Sequence, residues 1–310
     1  MAQGVEEMKT EKIGSRGVLF TMEANDSAFA EDYYIYLING EKDLYLCDTH
    51  VGPKSMEPIQ QYLAANGLDT KPLVIFHSHS DWDHIWGACA FPGATVVAQH
   101  RSLQRLYDRG YLELQRYAKF QNGEVRLVPP AITFDSRMLF CEDGVEFISA
   151  PGHTDDSAIC YDRKDSVLYL GDLVERPRPV IQAHDLETYI ETLEEIKGIA
   201  AQIMLTSHSG WVSKEDIEDN IAYIQQFQDI ALGSSEGDSE VGEMIRKRYT
   251  LLMYEDAIAQ TVGNEFDYLT FQKELWHSLE LDYLSSASAL LRNVEYEELK
   301  LALESYMAGL

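Results

Sequence analysis

Residues 73–87 read LVIFHSHSDWDHIWG, and within them three histidines and two aspartates crowd into the eight residues 77–84. The apolar run Leu73-Val74-Ile75-Phe76 has the pattern of a strand buried on both faces. The histidine cluster therefore sits on the loop at a strand's C-terminal end. In α/β proteins such loops gather the polar groups that perform chemistry.

The same arrangement recurs along the chain. Val18 to Met22, Tyr33 to Ile38 and Leu44 to Cys47 read as short strands, the last two joined by the turn Asn39-Gly40-Glu41-Lys42-Asp43. Met56 to Leu63 has helical spacing and stops at Asn66-Gly67. Downstream, Ala94 to Ala98 reads as a strand and Ser102 to Tyr107 as a helix. Glu146 to Ser149 is a strand ending at Pro151-Gly152-His153, and Val167 to Leu170 one ending at Gly171-Asp172. After a helix from Leu186 to Lys197, Ile203 to Thr206 ends at Ser207-His208. Four strand ends thus each deliver a histidine or an aspartate. From Ser213 the periodicity turns helical and acidic, with a break expected at 233–237, so the chain divides into residues 1–212 and a helical extension, 213–310. That extension needs a partner for its apolar stripe, either the main domain or a second copy of the chain.

Composition narrows the partners. With 52 acidic against 25 basic residues in 310, the net charge of −27 disfavours nucleic acid and anionic membrane surfaces and leaves a small molecule as the expected ligand. No apolar run reaches the length of a membrane span, and the opening MAQGVEEMKTEK lacks the basic and apolar segments of a signal peptide, so the expected location is the cytoplasm. Cys47, Cys89, Cys141 and Cys160 show no CxxC spacing and read as small hydrophobes.

Imidazole nitrogen and carboxylate oxygen are the donors that hold divalent metal, and two adjacent ions need six or more of them. His79, Asp81, Asp83, His84, His153, Asp172 and His208 are the candidates. In order and context, HSDWDHIWG, PGHT, GD and TSHSG resemble the successive motifs of the metallo-β-lactamase superfamily over residues 15–215. The resemblance implies an α/β fold, an αββα sandwich with a dinuclear metal site at one edge of its two sheets.

His77-x-His79-x-Asp81 can itself be read as the family's HxHxD, but the family motif ends in adjacent Asp-His followed shortly by Gly, which Asp83-His84-Ile85-Trp86-Gly87 satisfies. In that register Asp81 stands where most relatives have a second histidine, and His77 is a neighbour of the site rather than a ligand. The resemblance then implies one ion on His79, Asp81 and His153, another on Asp83, His84 and His208, and Asp172 bridging them. Asp48 matches a position that hydrogen-bonds the histidine loop.

Such a site implies a hydrolase in which a bridging hydroxide attacks an ester, thioester, amide or phosphoester of a small molecule, with Asp83 and Asp172 as the catalytic carboxylates. The ions would be zinc, or iron or manganese given the harder oxygen donor of Asp81. Flavodiiron proteins, a redox branch of the superfamily, resemble this chain in having an acidic residue there, so a diiron redox protein handling oxygen or nitric oxide is the alternative. A metal- or ligand-sensing module is a third reading. No flavodoxin-like phosphate loop follows His208. Glyoxalase II resembles the chain in its helical C-terminal segment, yet this tail has no evident basic cluster for glutathione. For substrate, Arg176, Arg178 and His184 are expected at the mouth of the site, with Trp82 as a wall.

Overall fold

Strands that alternate their side chains between two apolar environments need covering on both sides. Leu44-Tyr45-Leu46-Cys47 is such a strand: Tyr45 and Cys47 face one core, Leu44 and Leu46 another. The computed structural model, which describes residues 8–23, 31–233 and 240–310, meets this need with two facing sheets and helices outside each.

The first sheet runs in chain order: β1 (Lys9–Ile13), β2 (Gly17–Met22), β3 (Tyr33–Asn39), β4 (Leu44–Cys47), β5 (Leu73–Phe76), β6 (Thr95–Gln99) and β7 (Ile132–Phe134). The strands from β1 to β4 are antiparallel, and from β4 onward each pairs parallel with the next. The second sheet holds β8 (Arg137–Phe140), β9 (Val145–Ser149), β10 (Ala158–Asp162), β11 (Val167–Tyr169), β12 (Ile203–Thr206) and β13 (Gly210–Val212), in reverse chain order. Its pairs are antiparallel apart from β11 with β12. Because β9 and β11 are both antiparallel to β10, the strands β9, β11 and β12 share one direction. Their C-terminal ends therefore emerge at one edge, which is what gathers His153, Asp172 and His208.

Tyr36, Phe76 and Val97 from one sheet meet Phe147, Cys160, Tyr169 and Leu205 from the other in the inner core. Outside the first sheet, Ile59 and Leu63 of α1 (Glu57–Ala65) cover Leu46 and Ile75. Outside the second, Tyr189 and Leu193 of α4 (Leu186–Gly198) cover Leu168 and Leu170. Ile217, Ile221 and Ile224 of α5 (Lys214–Ala231) lie in the same cluster, so this helix, assigned by periodicity to the extension, packs as an outer layer of the sandwich. The break expected at 233–237 lies, from 234 on, outside the described residues.

The extension proper comprises α6 (Glu240–Val262), α7 (Tyr268–Ser278), α8 (Ala287–Arg292) and α9 (Tyr296–Ala308). Ile258, Phe271, Trp276, Leu290, Leu299 and Leu303 build its own core. It docks on α3 (His100–Arg116), which runs well beyond the expected 102–107. Leu112 of α3 is 1% exposed inside the extension's core, and Arg116 donates to the Tyr283 carbonyl at 2.7 Å. Among the described residues no helix is long and apolar enough to cross a membrane.

Leu112→Ala should therefore cost about 2–5 kcal/mol of stability in the extension. Hydrogen exchange is expected to accelerate across α6 and α7 while the amides of β5 and β11 keep their protection. Equal acceleration in β5 would show that the two parts open as one unit.

Candidate metal centre

The site is built from strand ends. Beyond β4 comes Asp48, at φ 65°, and beyond β5 the histidine loop, which winds into the single helical turn α2 (Trp82–Ile85). That turn presents Asp83 and His84 on adjacent positions. Beyond β9, β11 and β12 come His153, Asp172 and His208. Gly171 makes the β11 end possible: its φ is +56°, and a Cβ there would stand 2.6 Å from Ser78 Oγ in the histidine loop. Only a residue without a side chain lets the two loops close to this distance.

One oxygen organises the cluster. Asp172 Oδ2 lies 3.2 Å from His84 Nε2, 3.4 Å from His208 Nε2, 3.8 Å from His153 Nε2 and 3.9 Å from His79 Nε2. On one side of it, Asp81 Oδ2 is 3.7 Å from His79 Nε2 and 3.8 Å from His153 Nε2. On the other, Asp83 Oδ2 is 3.3 Å from His208 Nε2 and 3.6 Å from His84 Nε2. The donor atoms of His79, His153 and Asp172 converge as one group, and those of Asp83, His84 and His208 as a second.

These residues fit two divalent ions. Four ligands held at ~2.0–2.2 Å around a tetrahedral ion stand roughly 3.4 Å apart, the spacing seen here. His79 Nε2 and Asp172 Oδ1 are buried without a hydrogen-bond partner, although buried polar atoms are almost always satisfied. The outward nitrogens are occupied: His84 Nδ1 faces Asp48 Oδ2 at 3.0 Å, His79 Nδ1 faces Ser78 Oγ at 3.0 Å, and His153 Nδ1 faces the Val180 carbonyl at 3.1 Å. Such outer contacts fix which nitrogen is left to bind metal.

Electrostatics follow from this crowding. Burial alone would raise the Asp172 carboxyl, but His208 and His84 hold it well below its ordinary range. Burial would lower His84, and the Asp172, Asp83 and Asp48 carboxylates outweigh it, holding the imidazole well above its ordinary value. Asp81 is likewise lowered against its burial, by His153, His79 and Arg105.

His77 is buried but contributes no atom to either group of donors, and burial pushes its imidazole down to about 4. Trp82 stacks on Tyr117 and Phe120, with ring centroids 4.8 and 5.1 Å away. Arg176 donates to the Ser209 carbonyl at 2.8 Å, bracing the loop that carries His208, and Arg178 lies 5.5 Å over the Tyr223 ring. His184 alone of these four lines a cavity of about 750 Å³ beside the site, between α3, residues 182–188 and the extension.

Gln182 and Arg105, to which sequence reasoning gave no role, connect that cavity to the site. Gln182 Nε2 donates to Asp81 Oδ2 at 2.7 Å and lies 3.4 Å from His153 Nε2. Arg105 stands 3.6 Å from Asp81 Oδ1 and pairs with Asp155 and Asp156, each at 3.1 Å. No spacing rule marks either residue. Tyr169 was read only as strand, yet its hydroxyl donates to Asp48 Oδ2 at 2.9 Å, and Ser78 donates to both Asp48 oxygens at 2.7 Å.

Asp48 is fully buried and accepts all of these bonds, so Asp48→Asn should loosen His84 while leaving His79 and His153 in place. The ion held by Asp83, His84 and His208 is expected to bind about 10–100-fold more weakly. A competitive chelator titration checks this, and equal loss at both sites would contradict it.

The family model described as the metallo-beta-lactamase superfamily matches residues 30–208. Among curated proteins none matches. A metallo-beta-lactamase from Pontibacter korlensis superposes with a TM-score of 0.56 at 18% identity, covering 71% of this chain and 99% of its own. One from Hirschia baltica gives 0.54 at 17% identity, covering 70% and 97%. The FIM-1 enzyme from Pseudomonas aeruginosa, in a mono-zinc form, gives 0.55 at 14% identity, covering 71% and 95%. These likenesses concern the fold alone; the sandwich, the converging donors and the matched residues together make the chain a member of the metallo-β-lactamase superfamily.

Proposed function

We propose that the protein is a dinuclear-metal hydrolase that cleaves an ester, thioester, amide or phosphoester bond in a small molecule. The observation that carries this reading is the shared Asp172 Oδ2, within 3.9 Å of the inward nitrogens of all four histidines. When bound, two divalent ions in such a site supply Lewis acidity and bring the pKa of a water towards neutrality.

The chain's own residues supply position and proton handling. Asp83 faces His208 and His84 and keeps partial access to solvent, with a side chain 13% exposed. It is the carboxylate placed to orient an attacking water and accept its proton. Asp172, 7% exposed, is more deeply enclosed and serves to hold the two halves of the site together. The cavity beside Gln182 and Arg105 has the size of a small-molecule pocket.

A second reading rests on Asp81. A carboxylate in place of imidazole adds a hard oxygen donor and a negative charge, which favours iron or manganese and keeps the diiron redox chemistry in contention.

Elemental analysis of protein purified without added metal is expected to give close to two ions per chain. Turnover of an ester, thioester and phosphodiester panel should be lost on chelation and return with metal. Asp83→Asn should lower kcat by about 10²–10⁴-fold in protein reloaded to the parent's metal content. No turnover at any metal loading, together with oxygen or nitric oxide consumption by the iron form, would replace the hydrolase reading by the redox one.

Asp81→His gives a separate outcome. The zinc-to-iron affinity ratio should rise relative to the parent in paired metal titrations. An unchanged ratio would remove Asp81 as the source of any preference for iron.

A further inference from the structure

The cavity beside the metal centre carries a charge pattern that bears on the substrate. Three arginines of α3, Arg101, Arg105 and Arg109, line it at intervals of four residues, so they lie along one face of the helix. Arg105 is committed to Asp81, Asp155 and Asp156, and Arg101 pairs with Asp155 at 3.3 Å. Arg109 is different. It is half-buried, its guanidinium lies 4.1 Å over the Tyr268 ring, and among the described residues no carboxylate comes within 4.0 Å of it.

None of the cavity's carboxylates forms an ion pair with it; each is turned to another protein donor. Asp108 accepts from Gln104 at 3.0 Å, and Asp185 caps α4 through Thr188 N at 3.0 Å. Glu255 accepts from Tyr268 Oη at 3.0 Å and from Gln272 at 2.7 Å. Asp256 is bonded to Gln260 and faces His184, and Asp155 holds Arg101 and Arg105. Glu113, one turn beyond Arg109, makes no ion pair within 4.0 Å among the described residues; burial, aided by Asp81, pushes its carboxyl up to about 8 against the opposing pull of Arg109, Arg105 and Arg116. In a chain of net charge −27, a guanidinium in the wall of a pocket with no carboxylate in ion-pair contact has its hydrogen-bonding edge available to an anion. Tyr268 fixes its plane: the ring supports one face, and the hydroxyl bond to Glu255 holds the ring.

The position is suitable too. Arg105 touches the metal-site carboxylate Asp81, and Arg109 lies one helical turn further, about 6 Å along the axis. We propose that the substrate is a small anion whose scissile bond lies at the metal centre and whose carboxylate or phosphate is held by Arg109 on its Tyr268 platform. This rests on the hydrolase reading above and adds the substrate's chemical class. The extension then has a part in recognition, since Tyr268 and Glu255 belong to it while Arg109 belongs to the sandwich.

The test uses three aryl esters with one leaving group and an acyl chain ending in a methyl, a carboxylate or a phosphate. The metal-loaded parent should favour one of the charged chains over the methyl chain by at least about tenfold in kcat/KM, and the better of the two identifies the anion. Arg109→Met, whose unbranched stem can still pack on Tyr268, should cut turnover of the charged ester about 10–100-fold, mostly through KM. That loss should exceed the loss for the methyl ester by at least tenfold, and Arg109→Lys should recover part of it. Equal use of all three esters by the parent, or an equal fall for all three in Arg109→Met, would overturn the proposal while leaving the hydrolase reading intact. If neither these esters nor the thioester and phosphodiester panel is turned over at any metal loading, the hydrolase reading fails. Calorimetric titration with succinate and inorganic phosphate then decides this one: binding that weakens at least tenfold in Arg109→Met sustains an anion site, and binding that is absent from the parent or unchanged in the variant removes it.

Discussion

Four imidazoles and three carboxylates brought out of water around Asp172 Oδ2 impose the constraint from which the rest of the site follows. Burying ionisable groups is costly unless each is paired and hydrogen-bonded. The protein meets the cost in two shells. Inside, carboxylates alternate with imidazoles, so each anionic oxygen faces ring nitrogens. Outside, Asp48 gathers His84, Ser78 and Tyr169 around one fully buried carboxylate. The parallel pairing of β4 with β5 brings Asp48 beside the histidine loop, and the common direction of β9, β11 and β12 brings His153, Asp172 and His208 to meet it.

α3 joins the site to the extension. Its Arg105 reaches Asp81, Arg109 rests on Tyr268, Leu112 is buried among the extension's apolar residues, and Arg116 bonds the Tyr283 carbonyl. Successive turns of one helix thus contact the metal centre, the cavity and the docking core. Its Gly110 sits where a Cβ would come 2.9 Å from Leu127 Cδ1, so the helix lies close against the sandwich on that side. A displacement of the extension would be felt at Asp81 through one rigid element, about 11 Å long between Arg105 and Leu112.

The parts of this arrangement that were legible in the sequence are those carried by short, strongly patterned segments. Leu73 to Phe76, Leu44 to Cys47 and Ile203 to Thr206 have the bounds read from their apolar runs, because a four-residue strand covered on both faces leaves no polar position to blur its edges. The seven candidate donors stand out because histidine and aspartate at successive strand ends have few structural uses; six of them fall in the two converging groups, and Asp81 lies beside the first. α3 continues past the expected Tyr107 through Asp108, Arg109 and Gly110. They are tolerated since Gly110 answers to packing and Arg109 to Tyr268, contacts made with residues far away in the chain. β1, β7, β8, β10 and β13 are not marked by the sequence: β7 and β13 are three residues long, β1 is mostly exposed, β8 alternates exposed and half-buried positions, and β10 follows directly on the polar loop that carries His153. The cavity was beyond reach for the same reason, its walls being contributed by segments that only the docked extension brings together.

Asp81 and Arg105 are best understood as a pair. A carboxylate in place of an imidazole adds a negative charge to a cluster that already holds two others, and at an effective dielectric of about 20 two charges 4 Å apart interact by roughly 4 kcal/mol. Arg105, 3.6 Å from Asp81 Oδ1, offsets that repulsion. Yet its single charge is divided among Asp81, Asp155 and Asp156, and Gln182 adds a neutral donor on the opposite oxygen. Asp81 is therefore steadied without being neutralised. A carboxylate held in this state keeps its charge with its geometry fixed from outside the site, and the two residues that fix it also line the cavity beside it. Arg105 and Gln182 thus line the cavity and touch Asp81 at once, so a displacement of either side chain would be felt at that carboxylate through direct contact.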